Sequence, residues 1–298
     1  MNKRDLISDL HPVVCFLYFA FVLAFSMYFT HPVTLVVSLC GSVAYSVYLK
    51  GKKAMSFANK FMLPMIVIVS IMNPLFNHAG ATILTYLWDG NPLTLESIAY
   101  GISSGCMLVT VICWFSCFNE VITSDKIMYL FGKVIPAMSL IISMTLRFVP
   151  RFKAQMLTVA EAQKCVGRDV TSGNILQRAR HGVQILSIMV TWALENAIET
   201  ADSMKSRGYG LPGRTAFSNF RFDKRDKHIL ILILFCAGTI IAGAHSGGLD
   251  YRYYPTVRGV SVQPLSLLLY LVYAILCAAP VILNAREDSK WTVLRSTT

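Results

Sequence analysis

Few residues in this sequence have the type and spacing that chemistry needs. His11, His31, His78, His181, His228 and His245 are scattered singly, and a lone histidine at the edge of an apolar stretch is ordinarily a solvated side chain, not a catalyst. Cys113 and Cys117 share a helix face at a spacing of four, but no third or fourth ligand stands beside them to complete a metal shell. Cys15, Cys40, Cys106, Cys165, Cys236 and Cys277 lie mostly inside apolar runs and read as small hydrophobes. There is no G-x-x-x-x-G-K-[ST] loop to cradle a phosphate and no H-E-x-x-H to hold zinc. The polar residues His78, Asp89, Glu96 and Glu120 are too dispersed to form an enzyme site.

What remains is a pair of arginine-bearing segment ends, Ser206-Arg207-Gly208 and Cys165-Val166-Gly167-Arg168. Glycine takes the left-handed conformation that stops a helix, and a cation there complements the negative end of the helix dipole. That capping role accounts for the local residues. The alternative is that an exposed guanidinium docks into an acidic or carbonyl-lined groove of a partner, for which its planar fork of donors is suited.

Two helical patterns position these ends. From Met138 onward, Ile141, Thr145, Phe148, Phe152, Met156 and Val159 recur at three and four residues, an amphipathic stripe. Arg147, Arg151 and Lys153 interrupt the apolar run where this helix would leave a membrane, and Pro150 inside it is expected to bend it. A second helix is expected over Val183 to Ser206. Its Ala193, Ala197 and Ala201 form a ridge of small residues, and Glu195, Glu199 and Asp202 line up to meet Arg or Lys from the first helix. Apolar positions on the two helices, Ile141, Phe148, Phe152, Ile185, Met189 and Trp192, suit a bearing surface for a partner or packing against the chain's own helices.

The rest of the chain reads as a mounting in a bilayer. Of 298 residues, 55% are hydrophobic and 14% charged, and the mean hydropathy of +0.55 is that of a polytopic membrane protein. Apolar runs at Val13 to Thr30, Pro32 to Leu49, Phe61 to Asn77, Ile98 to Cys117, Ile229 to Ala244 and Pro264 to Leu283 approach the length of about 20 residues that a span needs. The net charge of +11 sits in loops between these runs, which is positive-inside topology and not a nucleic-acid footprint. Lys3 and Arg4 precede the first run, Lys50, Lys52, Lys53 and Lys60 follow the second, and Arg286, Lys290 and Arg295 follow the last, so six crossings place both termini in the cytoplasm. The expected fold class is all-α, a helical membrane protein with about six transmembrane helices and two long crossed cytoplasmic helices. The expected division is 1–125, N-terminal spans; 126–228, cytoplasmic or interfacial helices; and 229–298, C-terminal spans and tail. Within the middle part, Ile127 to Leu146 is apolar enough to span, but one crossing there would invert the charge rule, so a helix in or dipping into the interface is expected. The basic loop Leu211 to Lys227, with Arg214, Arg221, Lys224, Arg225 and Lys227, is expected to face phospholipid.

At Thr145 to Phe152 (TLRFVPRF), Glu161 to Asp169 (EAQKCVGRD) and Ala201 to Gly210 (ADSMKSRGYG) the sequence resembles the transmembrane T component of energy-coupling factor transporters. The resemblance covers most of the chain. It implies a non-catalytic scaffold without cofactors in a multi-pass cell-membrane protein. Its implied partners are two cytosolic ABC-type ATPases and a small substrate-binding membrane subunit, for uptake of vitamins or related micronutrients. The ATPases are met by Ala-Arg-Gly-like triplets at the two helix ends. Ser206, Arg207 and Gly208 match the second triplet with Ser for Ala. The first departs, because Val166 stands where Arg is expected, before Gly167. Arg168 lies two positions later and points about 200° around the axis unless the helix has ended by Gly167. The alternative is the permease of a conventional ABC importer, whose E-A-A-x-x-x-G docking loop is loosely matched by Glu161-Ala162-Gln163 with Gly167.

Overall fold

The computed structural model describes residues 5–86, 90–211, 220–259 and 264–296. Lys3, Arg4, Asp89 and Arg214 lie outside the described residues. The chain divides into two compact units, residues 1–127 with 220–298, and residues 128–219.

The first unit is the mounting. Helices α1 (Pro12–Tyr28) and α2 (Pro32–Lys50) both start at a His-Pro pair. Each proline fills the first helical position, where its missing N–H costs nothing. Each histidine caps the turn, with Val13 N–H donating to His11 Nδ1 at 3.3 Å and Val33 N–H to His31 Nδ1 at 3.2 Å. Past Gly51, helix α3 (Lys52–Phe57) runs through a π-helical turn, Ala58–Met62, into α4 (Leu63–Phe76). A short hairpin, β1 (Ile83–Tyr86) with β2 (Pro92–Thr94), leads into α5 (Leu95–Val121). Helix α6 (Ser124–Val134) leads out of this unit. The chain returns as α9 (Lys224–His245), the two-residue strands β3 (Tyr251–Arg252) and β4 (Arg258–Gly259), and α10 (Pro264–Ser296).

Among the described residues five helical stretches are long and apolar enough to cross a membrane: α2, Ala54–Phe76, α5, α9 and Pro264–Glu287 of α10. Helix α1, at 17 residues, is shorter. All six expected runs are therefore helical, and the third to the sixth are longer than the apolar residues alone marked. The outward side chains of α4, Val67, Ile68, Ile71 and Phe76 among them, are exposed.

Apolar burial alone holds membrane helices together weakly, because lipid is as greasy as leucine; close backbone approach and shared polar groups do more. Both are present. On α5, a side chain at Gly101 would meet the Ser70 carbonyl of α4 at 2.7 Å, and one at Gly105 the Ile66 carbonyl at 3.1 Å. At the centre, Trp114 and Tyr45 are fully buried beside Phe19. Trp114 donates its indole N–H to Ser38 Oγ at 3.0 Å, Ser38 meets Ser26 at 2.9 Å, and Ser26 meets Tyr273 at 3.4 Å, a chain of bonds across α5, α2, α1 and α10.

The second unit holds the two long helices α7 (Pro136–Cys165, 30 residues) and α8 (Ile175–Ser206, 32 residues). The run Ile127 to Leu146, expected as one interfacial helix, is instead split. Ile135 adopts φ −134° and ψ 86°, because a residue before proline is pushed out of the helical region, and α7 begins at Pro136. Pro150 stays inside α7. Helix α8 starts at Ile175, eight residues before the expected Val183, because Asn174 and Gln177 close a capping box: Ile175 N–H donates to Asn174 Oδ1 at 2.8 Å and Asn174 N–H to Gln177 Oε1 at 3.3 Å.

The contact of α4 with α5 yields a direct test. Gly101→Leu forces the Ser70 carbonyl aside and should destabilise the protein by about 1–3 kcal/mol, the usual cost of overpacking. Loss of thermal stability in detergent checks it, with Gly238→Leu on α9, where the glycine is helical, exposed and has no atom within 4 Å of an added side chain, as the control for adding an apolar side chain in open space.

Candidate helix-end docking sites

The two long helices run antiparallel and cross near their midpoints. Phe152 of α7 lies edge-on to Trp192 of α8 at 5.2 Å between ring centres, and the Arg151 guanidinium lies over the same indole at 5.7 Å. On one side of the crossing, Met144, Arg147 and Arg151 face Asn196, Glu199, Ser203, Met204 and Arg207 across a groove of about 400 Å³. On the other, Phe152, Lys153 and Met156 face Gly182, Ile185, Leu186, Met189 and Ala193 across an apolar groove of about 630 Å³. Rising numbers on one helix thus meet falling numbers on the other, so the two C-terminal ends lie toward opposite ends of the pair.

Those ends are built alike. In α7 the cap residue is Val166; Gly167 follows at φ +80°, with its N–H donating to Lys164 O at 3.0 Å and the next N–H, of Arg168, to Gln163 O at 2.9 Å. In α8 the cap residue is Arg207; Gly208 follows at φ +80°, with its N–H donating to Lys205 O at 3.0 Å and that of Tyr209 to Met204 O at 3.0 Å. Each is the paired-bond motif that satisfies the last carbonyls of a helix and needs a left-handed residue, hence glycine. Val166 therefore occupies the position of Arg207, and Arg168 that of Tyr209. The helix has ended by Gly167, the condition under which Arg168 can offer its charge from the same tip.

The surroundings of the tips differ. Ser206, Arg207 and Val166 are exposed, Val166 at 69%. Arg207 shares its groove with Arg147 and Arg151, and Arg147 also lies over a ring, that of Phe148, at 5.6 Å. Stacking holds a guanidinium by its face and leaves its N–H edges available to an anion. Beside Arg168, Asp169 accepts from Thr171 N–H at 2.9 Å and the Ser172 hydroxyl at 3.3 Å, and lies 3.7 Å from Lys164 Nζ. The Thr171 N–H above all holds its carboxyl below the usual aspartate range, so this tip carries a fixed negative charge.

The bearing-surface candidates separate. Ile185 and Met189 are buried and Phe148, Phe152 and Trp192 half-buried at or near the crossing, while Ile141 is exposed at 55%. Phe152, Ile185 and Met189 nevertheless line the apolar groove. Glu195, Glu199 and Asp202 make no ion pair with α7 among the described residues; Glu199 instead shares the groove with the three arginines. The sequence marked Arg147 and Arg151 only as the end of an apolar run, and it is the antiparallel crossing that brings them to Arg207. Among the described residues no group of three His, Cys, Asp or Glu could hold a metal ion. Gly101-Ile102-Ser103-Ser104-Gly105 spells the G-x-S-x-G of a nucleophile elbow, but it lies inside α5 and not on a strand-to-helix turn, and Ser103 meets Tyr253.

The cobalt transport protein family CbiQ matches residues 3–217. The chain belongs to the CbiQ family. The energy-coupling factor transporter transmembrane protein EcfT 1 of Listeria monocytogenes is 27% identical over 224 residues, 70% of this chain and 79% of its own length. EcfT of Lactobacillus helveticus is 32% identical over 117 residues, 39% of this chain, and EcfT of Streptococcus thermophilus 35% over 96 residues, 32% of this chain. These two matches span only 42% and 36% of those proteins. The resemblance to the energy-coupling factor transmembrane component is thus borne out, and this CbiQ-family chain is a helical, multi-pass membrane protein of a transporter family.

The shared cap makes a prediction about the tips alone. Gly208→Val must hold a β-branched residue left-handed and should cost about 1–2 kcal/mol, fraying the last turn of α8. Faster amide exchange at Gly208 and Tyr209 checks it; Gly208→Asn, which tolerates that conformation, should exchange as the parent does.

Proposed function

We propose that this chain is the transmembrane scaffold of an energy-coupling factor importer, carrying ATP-driven motion from two cytosolic ABC-type ATPases to a small substrate-binding membrane subunit. The observation that carries the reading is the pair of matching caps: two helices cross once, and each ends in the same glycine-closed turn with a cation at the cap or two residues beyond. Arg207, with Ser206 and Gly208, grips one ATPase; Gly167 and Arg168, beside Val166, meet the other. The apolar groove lined by Phe152, Ile185 and Met189, together with Ile141, Phe148 and Trp192, bears on the substrate-binding subunit.

In this mechanism the chain performs no bond-breaking chemistry. Closing of the ATPases on ATP displaces the two tips relative to each other. With Phe152 and Trp192 in contact between the tips, tip displacement becomes a change in the angle between the helices, and the apolar groove turns with it. The bound subunit is tilted so that its pocket opens inward. Both termini and both tips lie on the cytoplasmic side. The cargo class is micronutrients, vitamins or their precursors or transition-metal ions, chosen by the other membrane subunit.

Charge reversal tests the docking. Arg207→Glu should lower ATPase co-purification at least about tenfold, since reversing a docked charge costs more than the 1.4 kcal/mol that a factor of ten represents. Arg168→Glu should lower it too. Loss at Arg168 alone would support the conventional permease with a docking loop at Glu161 to Gly167. Sidedness gives a second test: a cysteine introduced at Ser206 in a cysteine-free background should resist an impermeant reagent in intact cells and react in inverted vesicles. Labelling from outside would end the proposal.

A further inference from the structure

The places where the coupling segment joins the membrane unit are more strongly built than a tether requires. The unit boundaries fall after Ile127 and before Phe220. Close to each, on the membrane-unit side, stands a buried charge: Lys126, 4% exposed, and Asp226, 3% exposed. Both reach the same seven residues, Asp5 to Leu10 and His11, a run of turns ahead of α1. Lys126 Nζ donates to the Ser8 carbonyl at 2.7 Å and lies 3.6 Å from Cys15 Sγ. Asp226 Oδ1 accepts from His11 N–H at 3.4 Å, and its Oδ2 accepts from Asp223 N–H at 3.1 Å.

This segment is itself held fast. Asp5, 6% exposed, accepts from the Tyr45 hydroxyl of α2 at 2.9 Å and from the Asn284 amide of α10 at 2.6 Å, while Leu6 N–H donates to Asn284 Oδ1 at 2.7 Å. Ile7 and Leu10 sink into the apolar core. One short turn therefore ties α2, α6, α9 and α10 together at the level where the chain leaves for the coupling helices and comes back.

Stability alone does not account for Lys126. A buried ammonium is costly, and no carboxylate lies within ion-pair range of it among the described residues; an apolar residue of similar length would pack as well. What the ammonium adds is direction, since it holds α6 to one carbonyl of one turn. We infer that residues 5–11 form a clasp that fixes, inside the membrane unit, the two points from which the coupling segment leaves and to which it returns, with Lys126 and Asp226 as its positioning residues. The inference rests on the coupling reading above: a lever that takes force at its tips moves its load only if its roots do not yield.

The test uses the full chain purified with its ATPases, with the exposed Cys40 and Cys165 and the half-buried Cys106 replaced by serine and the buried cysteines, Cys15 among them, kept, spin-labelled at Met65→Cys on α4 and Glu161→Cys on α7. The parent should show a narrow distance distribution that shifts between the nucleotide-free and ATP–vanadate states. Lys126→Met should broaden the nucleotide-free distribution at least twofold and abolish the shift, while ATPase co-purification stays within twofold of the parent. Amide exchange over residues 5–11 should rise by tenfold or more. Unchanged width, shift and exchange would overturn the clasp. If Lys126→Met gives no folded complex, Asp226→Asn, which keeps the volume and removes only the charge, carries the same measurements with the same two outcomes. Failure of the coupling reading shows separately, as ATPases retained by Arg207→Glu; the width and exchange measurements on the chain alone still decide the clasp.

Discussion

The edge of Phe152 against the face of Trp192 is the contact on which the coupling unit depends. Two helices of 30 and 32 residues laid side by side would bury long stripes and fix each other in one position. Here they meet at this ring pair with an open groove on either side of it. An edge-to-face pair adds about 0.5–1.5 kcal/mol beyond the area it buries. Arg151 stacked on the same indole adds a charge that stays solvated at its edge. Everything proposed of this unit follows from that economy: stiff arms, exposed tips and a single bearing.

The membrane unit is held together differently, because lipid offers its helices no hydrophobic reward for staying together. Glycines at 101 and 105 bring two backbones into contact, hydroxyls on Ser26 and Ser38 join Trp114 to Tyr273, and Lys50 reaches across to Ser116 Oγ at 2.8 Å and toward Glu120 at 3.6 Å. These polar ties are short-ranged and directional, so they specify one arrangement where apolar packing alone would allow several.

How much of this could be read from residues alone follows from the range of each interaction. Helical runs were legible because burial in lipid demands long apolar stretches, and the second helix end because glycine after arginine is a local signal. The start of α8 was missed because Arg178, Arg180 and His181 dilute the apolar pattern, although Asn174 and Gln177 do spell a capping box. The split at Ile135 was readable in principle from Pro136. The gathering of Arg147 and Arg151 about Arg207 was not, since it requires knowing that α7 and α8 are antiparallel. Nor was the burial of Lys126 and Asp226, whose partners stand 118 and 215 residues away.

The two tips are interchangeable in backbone and unlike in chemistry, and the difference limits what each can grip. At Arg207 the cap residue itself is the cation, and two further arginines share its groove with one carboxylate, Glu199. At Val166 the cap residue is apolar; the cation comes two residues later, next to Asp169, whose charge is fixed by its own N–H and hydroxyl bonds and set against Lys164. A strongly acidic recess would therefore favour the first tip and be repelled in part by the second, where an apolar side chain must be accommodated before any charge is met. In the docking proposed above, identical backbone turns would present identical geometry, so selectivity between the two ends would fall to the side chains at the cap and just beyond it.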